Sequence, residues 1–303
     1  MIKKQWYKVG GHSFCISENS DSCILKHLTN YLPFHISQEE AGASNEIIFN
    51  LHVEESSQKP TINGTFVIQF EGEETIIDLY ETTDDMLIFT ISIRQNQRKT
   101  TNIAVLSVNS TSFNAQLVLD SGLFPQYKHF AVNNALMLLY ALSTACRNTL
   151  LIHASAIACP HYAYAFLGRS GTGKSTHSQL WLKYIEGTSL LNDDNPVIRL
   201  HEEGAFIYGT PWSGKTPCYQ NKRLPLGGII RLSQSPENSI KRLKGASAYA
   251  TIAPSVSTIK WNRLYADGIH ATLSHLISQT EIYHLQCRPD EEAARVCYNM
   301  VSK

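Results

Sequence analysis

The chain has 303 residues, 43% hydrophobic and 17% charged, a composition that can bury a sizeable core and excludes wholesale disorder. Lys plus Arg and Asp plus Glu both number 26, a formal net charge of zero that speaks against a nucleic-acid partner. The seven cysteines form an odd set with no C-x-x-C pair, which argues against a disulfide framework and against a zinc ribbon.

The N-terminus, Met1 to Trp6, starts basic but has no apolar run behind it, so no signal peptide is expected. The longest strongly apolar run, Ala135 to Leu142, falls far short of the ~20 residues of a membrane span. A cytoplasmic protein with no membrane contact is expected. Residues 1–125 read as a β-rich antiparallel domain. Apolar residues alternate with polar ones at Ile47, Phe49, Leu51 and Val53, at Phe66, Ile68 and Phe70, at Leu87, Phe89, Ile91 and Ile93, and at Phe113, Ala115, Leu117 and Leu119. Period-two alternation means strands with one buried and one wet face. Asn63-Gly64, Glu71-Gly72, Asp84-Asp85 and Asn109-Ser110 supply turns between the runs. No chemical constellation appears there, and a scaffold or recognition role is the expectation.

The character changes after Pro125, and residues 126–303 read as an α/β domain. Phe130 to Ala145 predicts a helix, Leu150 to Ala158 and Tyr162 to Leu167 predict strands, and Ser175 to Tyr184 predicts a helix. A short strand, Ser189 to Leu191, runs into Asn192-Asp193-Asp194. A last helix is expected to start around Pro289-Asp290-Glu291, with the proline in its first turn.

Between the second strand and the helix lies Gly168-Arg169-Ser170-Gly171-Thr172-Gly173-Lys174-Ser175, a fit to G-x-x-x-x-G-K-[ST] followed by Thr176. The glycines let the backbone turn its N–H groups inward as an anion nest, and the helix N-terminus aims its positive end at the same spot. Lys174 is placed to neutralise β- and γ-phosphates and Ser175 to ligate Mg²⁺. A second formal match, Gly209-Thr210-Pro211-Trp212-Ser213-Gly214-Lys215-Thr216, is followed at once by Pro217 and then by Pro225, so no long helix is expected behind it. It is set aside as a nucleotide cradle, though Lys215 could reach a phosphate or acceptor from the side. Asp193 and Asp194, at a strand end after the loop helix, suit a metal anchor and a base for phosphoryl transfer; an Asx-turn into Asn195-Pro196 is the plainer alternative. His153, in the apolar run Leu151 to Ala156, reads by itself as a core histidine.

Together, His153-Ala154, the Gly168–Ser175 loop and Asp193-Asp194 resemble the catalytic domain of HPr kinase/phosphorylase and its relatives, which include kinases that modify peptides. The resemblance covers about residues 150–230. It implies an α/β P-loop domain with a mixed sheet, ATP and Mg²⁺ as cofactors, and Gly168, Ser170, Gly171, Thr172, Gly173, Lys174, Ser175 and Thr176 around the nucleotide. It implies Asp193 as base toward an acceptor hydroxyl, Asp194 with Ser175 at the metal, and His153 near the acceptor or γ-phosphate. Trp212, Ser213 and Lys215 would line the acceptor side, and hexamers among the related enzymes make a homo-oligomer plausible. The basic segment that grips HPr is not found and the N-terminal part does not match, so HPr is not the expected acceptor. The expected function is phosphate transfer from ATP to a hydroxyl of a peptide, protein or small molecule. The alternative is a nucleotide-sensing module without transfer. Carboxykinase chemistry ranks last, since no His/Lys/Asp set for it is seen.

Overall fold

The computed structural model describes all residues except Ser44, Asn45, Lys59, Glu73, Gln97, Arg98, Lys215 and Lys303. The chain is mixed α/β, mostly strands, and forms two large mixed sheets. It divides into two compact units, Met1–Ser143 and Thr144–Lys303. Among the described residues, no helix is long and apolar enough to cross a membrane, and all seven cysteines are free.

The first unit holds strands β1 (Ile2–Val9), β2 (His12–Asn19), β3 (His35–Ile36), β4 (Ile47–Ser56), β5 (Thr65–Glu71), β6 (Thr75–Glu81), β7 (Met86–Asn96), β8 (Lys99–Asn109) and β9 (Asn114–Asp120), with helices α1 (Gln38–Ala43) and α2 (Pro125–Thr144). Their order across the sheet is β3-β1-β2-β4-β9-β8-β7-β6-β5. The expected meander is present from β5 to β9; Asn63-Gly64 and Asp84-Asp85 lie between strands, and Glu71-Gly72 and Asn109-Ser110 begin on the last residue of β5 and of β8. The domain is not wholly antiparallel, however: β4 runs parallel to both β2 and β9. The cause is the connection. β1 and β2 are joined by Gly10-Gly11, both at positive φ, as a tight antiparallel hairpin. From β2 to β4 the chain instead passes through two 3₁₀ turns, β3 and α1, long enough to return parallel.

The second unit holds β10 (Thr149–Leu151), β11 (Ala154–Ala158), β12 (Ala163–Leu167), α3 (Lys174–Tyr184), β13 (Ser189–Asp194), β14 (Val197–His201), β15 (Gly204–Tyr208), β16 (Arg223–Gln234), β17 (Ser239–Leu243), α4 (Gly245–Ile252), α5 (Arg263–Gln279), β18 (Ile282–Cys287) and α6 (Glu291–Val301). The predicted strand Leu150 to Ala158 is two strands that part at Ile152-His153, β10 pairing with β14 and β11 with β12 and β13. The strand before the acidic pair runs on to Asp194 itself. It does not neighbour the loop strand, because β11 lies between them. In α6, Asp290 rather than Pro289 caps the helix, its side chain accepting from the Ala293 N–H.

The site rests on α3 and α6 packed over β12, β16 and β18. Tyr164, Phe166, Trp181, Ile230, Leu232, Leu285, Ala294 and Cys297 form this core. Trp181 is wholly buried and meets Phe166 at 5.2 Å and Tyr298 at 5.5 Å, both edge to face. Each such pair adds about 1 kcal/mol to the burial of a ring.

Candidate phosphate-binding site

Strand direction collects the three sequence motifs. β11 is antiparallel to β12 on one side and to β13 on the other, so β12 and β13 end at the sheet edge where β11 begins. Gly168, His153 and Asp194 therefore meet there. The register places Phe166, Ser155 and Asp193 on one rung. All three face α3. Phe166 packs against His177 and Trp181, the Ser155 hydroxyl pairs with that of Ser178 at 2.7 Å, and Asp193 accepts from the Ser175 hydroxyl at 3.1 Å. The small run Ala154-Ser155-Ala156 admits the helix this closely. Because side chains alternate along a strand, Asp194 turns to the opposite face, where its Oδ1 lies 2.9 Å from His153 Nδ1.

The loop has the conformation its glycines foretell. Gly171 and Gly173 stand at φ +79° and +100°, where L side chains are strained. A Cβ on Gly168 would stand 2.2 Å from Thr172 Oγ1, and Thr172 closes the loop by donating from Oγ1 (2.7 Å) and N (3.1 Å) to the Arg169 carbonyl. α3 starts with no side-chain cap and no acidic residue in its first turn. Its first N–H groups and roughly +0.5 charge thus face the loop with no side-chain cap, and the Asp193 carboxylate approaches through the Ser175 hydroxyl.

Lys174 folds back over the loop. Its Nζ donates to the Gly168 carbonyl at 2.9 Å and lies 3.0 Å from His153 Nε2. With Nε2 accepting, His153 carries its proton on Nδ1, toward Asp194. Lys174, His153 and Asp194 form one chain of contacts. Burial lowers the Lys174 pKa, and Asp194 and Asp193 work against that fall. His177 sits behind the loop, its Nε2 accepting from the Trp181 indole at 3.1 Å. Burial pushes its pKa down to about 4, and its Nδ1 is buried without a hydrogen-bond partner.

Two pockets open from the loop. One of about 480 Å³ lies on the α3 face and is lined by Gly171, Thr176, His177, Leu180, Cys287 and Arg288 among others. The other, about 570 Å³, takes in His153, Arg169, Ser170, Arg231, Ser233 and Pro254. Cys287 and Arg288 of the first and Arg231 of the second escaped the sequence reading. They lie on β16, β18 and the segment after β18, far along the chain and without a motif.

The second glycine-rich match behaves differently. Neither Gly209 nor Gly214 has positive φ. A Cβ on Gly209 would stand 2.1 Å from the Gln220 carbonyl oxygen, and one on Gly214 would stand 2.9 Å from that of Asp193. These glycines permit close backbone packing, and the described residues between them and β16 form no helix. Asn192, given no role in the sequence reading, ties this segment to β13 by donating to the Thr210 hydroxyl (3.1 Å) and to the carbonyls of Thr210 (3.3 Å) and Trp212 (3.4 Å). Trp212 is buried, and Ser213 bridges Asp194 through the backbone while its hydroxyl donates to the Thr216 carbonyl. Lys215 lies outside the described residues.

No family model matches the chain, and neither does any curated protein.

Proposed function

We propose that this protein is an ATP- and Mg²⁺-dependent kinase of the P-loop type that transfers the γ-phosphate to a hydroxyl. The observation that carries the reading is the convergence of the uncapped start of α3, Lys174 and both carboxylates of Asp193-Asp194 at one sheet edge. The loop backbone and Lys174 would hold the phosphates, and the 480 Å³ pocket beside Thr176 would take the nucleoside. A hydroxyl next to carboxylates is an all-oxygen donor set of the kind Mg²⁺ accepts when phosphate oxygens complete its shell. Ser175 and Asp193 would hold Mg²⁺, which when bound would offset the negative charge of the phosphates.

Resemblance gives the base role to Asp193 and the metal role to Asp194. The contacts favour the opposite division. Asp193 is 6% exposed and touches Ser175, which suits the metal side. Asp194 is more open and backed by His153. In this scheme the acceptor O–H bond breaks with its proton passing to the Asp194 carboxylate. The acceptor oxygen bonds to the γ-phosphorus, and the bond from that phosphorus to the β-phosphate oxygen breaks, its electron pair leaving with ADP. His153 holds the carboxylate in place, and Lys174 offsets charge at the loop.

The test is incubation with γ-labelled ATP and a cell extract or peptide library, with Lys174→Ala as control. Label should appear on an acceptor, need Mg²⁺ and vanish in the variant. ATP binding without transfer to any acceptor would favour the sensing module instead.

A further inference from the structure

We infer that the acceptor carries an anionic group, carboxylate or phosphate, close to its hydroxyl, and that Arg169 and Arg231 grip it in the 570 Å³ pocket. The inference rests on the kinase reading above and names the substrate class of that site: a small hydroxy acid or phosphorylated alcohol.

The register supports the location. Leu167 pairs with Arg231 across β12 and β16, one position beyond Phe166, and so points away from α3, to the face that Asp194 and His153 share. Arg169, two residues on from Leu167, and Ser233, two residues on from Arg231, line the same cavity. No Asp or Glu lines it. Among the described residues, neither guanidinium has a carboxylate partner, in contrast to Arg94, Arg242, Arg288 and Arg295, each of which meets a glutamate. Arg231 instead pairs across the sheet with His284, whose pKa is lowered first by burial and then by Lys241 and Arg231. Two planar donors without a carboxylate counter-ion among the described residues form a receptor for a carboxylate or phosphate. The cavity opens on His153, whose other ring nitrogen contacts the proposed base. An anion held there would bring a nearby hydroxyl to Asp194.

The experiment uses the full chain saturated with MgADP, titrated calorimetrically with inorganic phosphate and, separately, with 2-hydroxymalonate. At least one should bind at one site per chain. Its affinity should fall about tenfold or more in Arg231→Gln and in Arg169→Gln, while MgADP affinity stays within twofold of wild type. A preference for phosphate or for hydroxymalonate would say which anion the acceptor bears. Loss of MgADP affinity in the arginine variants would assign these side chains to the nucleotide and overturn the inference. So would MgADP binding with no second anion, or with an anion indifferent to both variants. Failure of the wild-type chain to bind MgADP would instead sink the nucleotide reading itself.

Discussion

At the scale of single residues, the acidic pair shows how adjacent positions acquire different work. Period-two alternation sends Asp193 to Ser175 and Asp194 to His153. Removing the charge from either should therefore fail differently. Asp194→Asn is expected to cut kcat by about 10²–10⁴-fold with ATP affinity kept, as for loss of a general base. Asp193→Asn is expected to raise the Mg²⁺ concentration needed for half-maximal rate. Metal titrations of both variants check this, and the reverse pattern would restore the roles implied by resemblance. His177 gives a stability test. Its pKa drops from 6.5 to about 4 in the folded chain, so between those values the unfolded chain binds the extra proton. Stability at this group is complete above the unfolded pKa and is lost as pH falls toward about 4. At about 1.4 kcal/mol per pH unit the loss is about 3 kcal/mol. Urea midpoints measured from pH 7 to pH 4 should fall more steeply in the wild type than in His177→Gln.

At the scale of elements, the loop–helix unit was legible because its constraints are local. Glycines at positive φ, a helix without a competing cap and a preceding apolar strand all leave marks within a dozen residues. Gly168 is the exception. Its need for a missing Cβ comes from Thr172, which folds back onto it. Gly168→Ala should force Thr172 off its bond to Arg169, cost about 1–2 kcal/mol and weaken ATP binding. Adding Thr172→Ala removes the oxygen in conflict and should recover part of the stability, read from paired thermal melts. The helix is anchored at its other end by Trp181, and Trp181→Ala should cost about 3–5 kcal/mol through the cavity it leaves. Other elements were hidden. β1 reads Ile-Lys-Lys-Gln-Trp-Tyr-Lys-Val and is largely exposed through its first residues, so it shows no clean apolar alternation. The run Leu150 to Ala158 looks continuous, yet it breaks where Ile152 and His153 bond instead to the backbone around Pro196 and Ser255. That break frees His153 for the site.

At the scale of the whole molecule, two sheets belong to two compact units, and only the second carries the glycine-rich loop Gly168–Ser175. Hydrogen exchange with and without MgADP should localise the ligand. At a hundred times its dissociation constant it stabilises the bound form by about 2.7 kcal/mol. Slowed exchange is expected across residues 168–178 and in β13, with β5–β9 unchanged. Protection confined to the first sheet would place the nucleotide elsewhere.

The sequence by itself determined what depends on neighbours along the chain: the loop conformation, the helix behind it, the meander and its turns, and the exclusion of Gly209–Thr216 as a cradle, since a proline bars the helix. Tertiary structure decided what depends on strand order and direction. Only β11 running antiparallel between β12 and β13 brings His153 against both Lys174 and Asp194. Only the parallel pairing of β12 with β16 brings Arg231 beside the loop, 57 positions after Lys174 in the numbering. Such pairings are set by the burial of whole faces, and no short stretch of sequence records them.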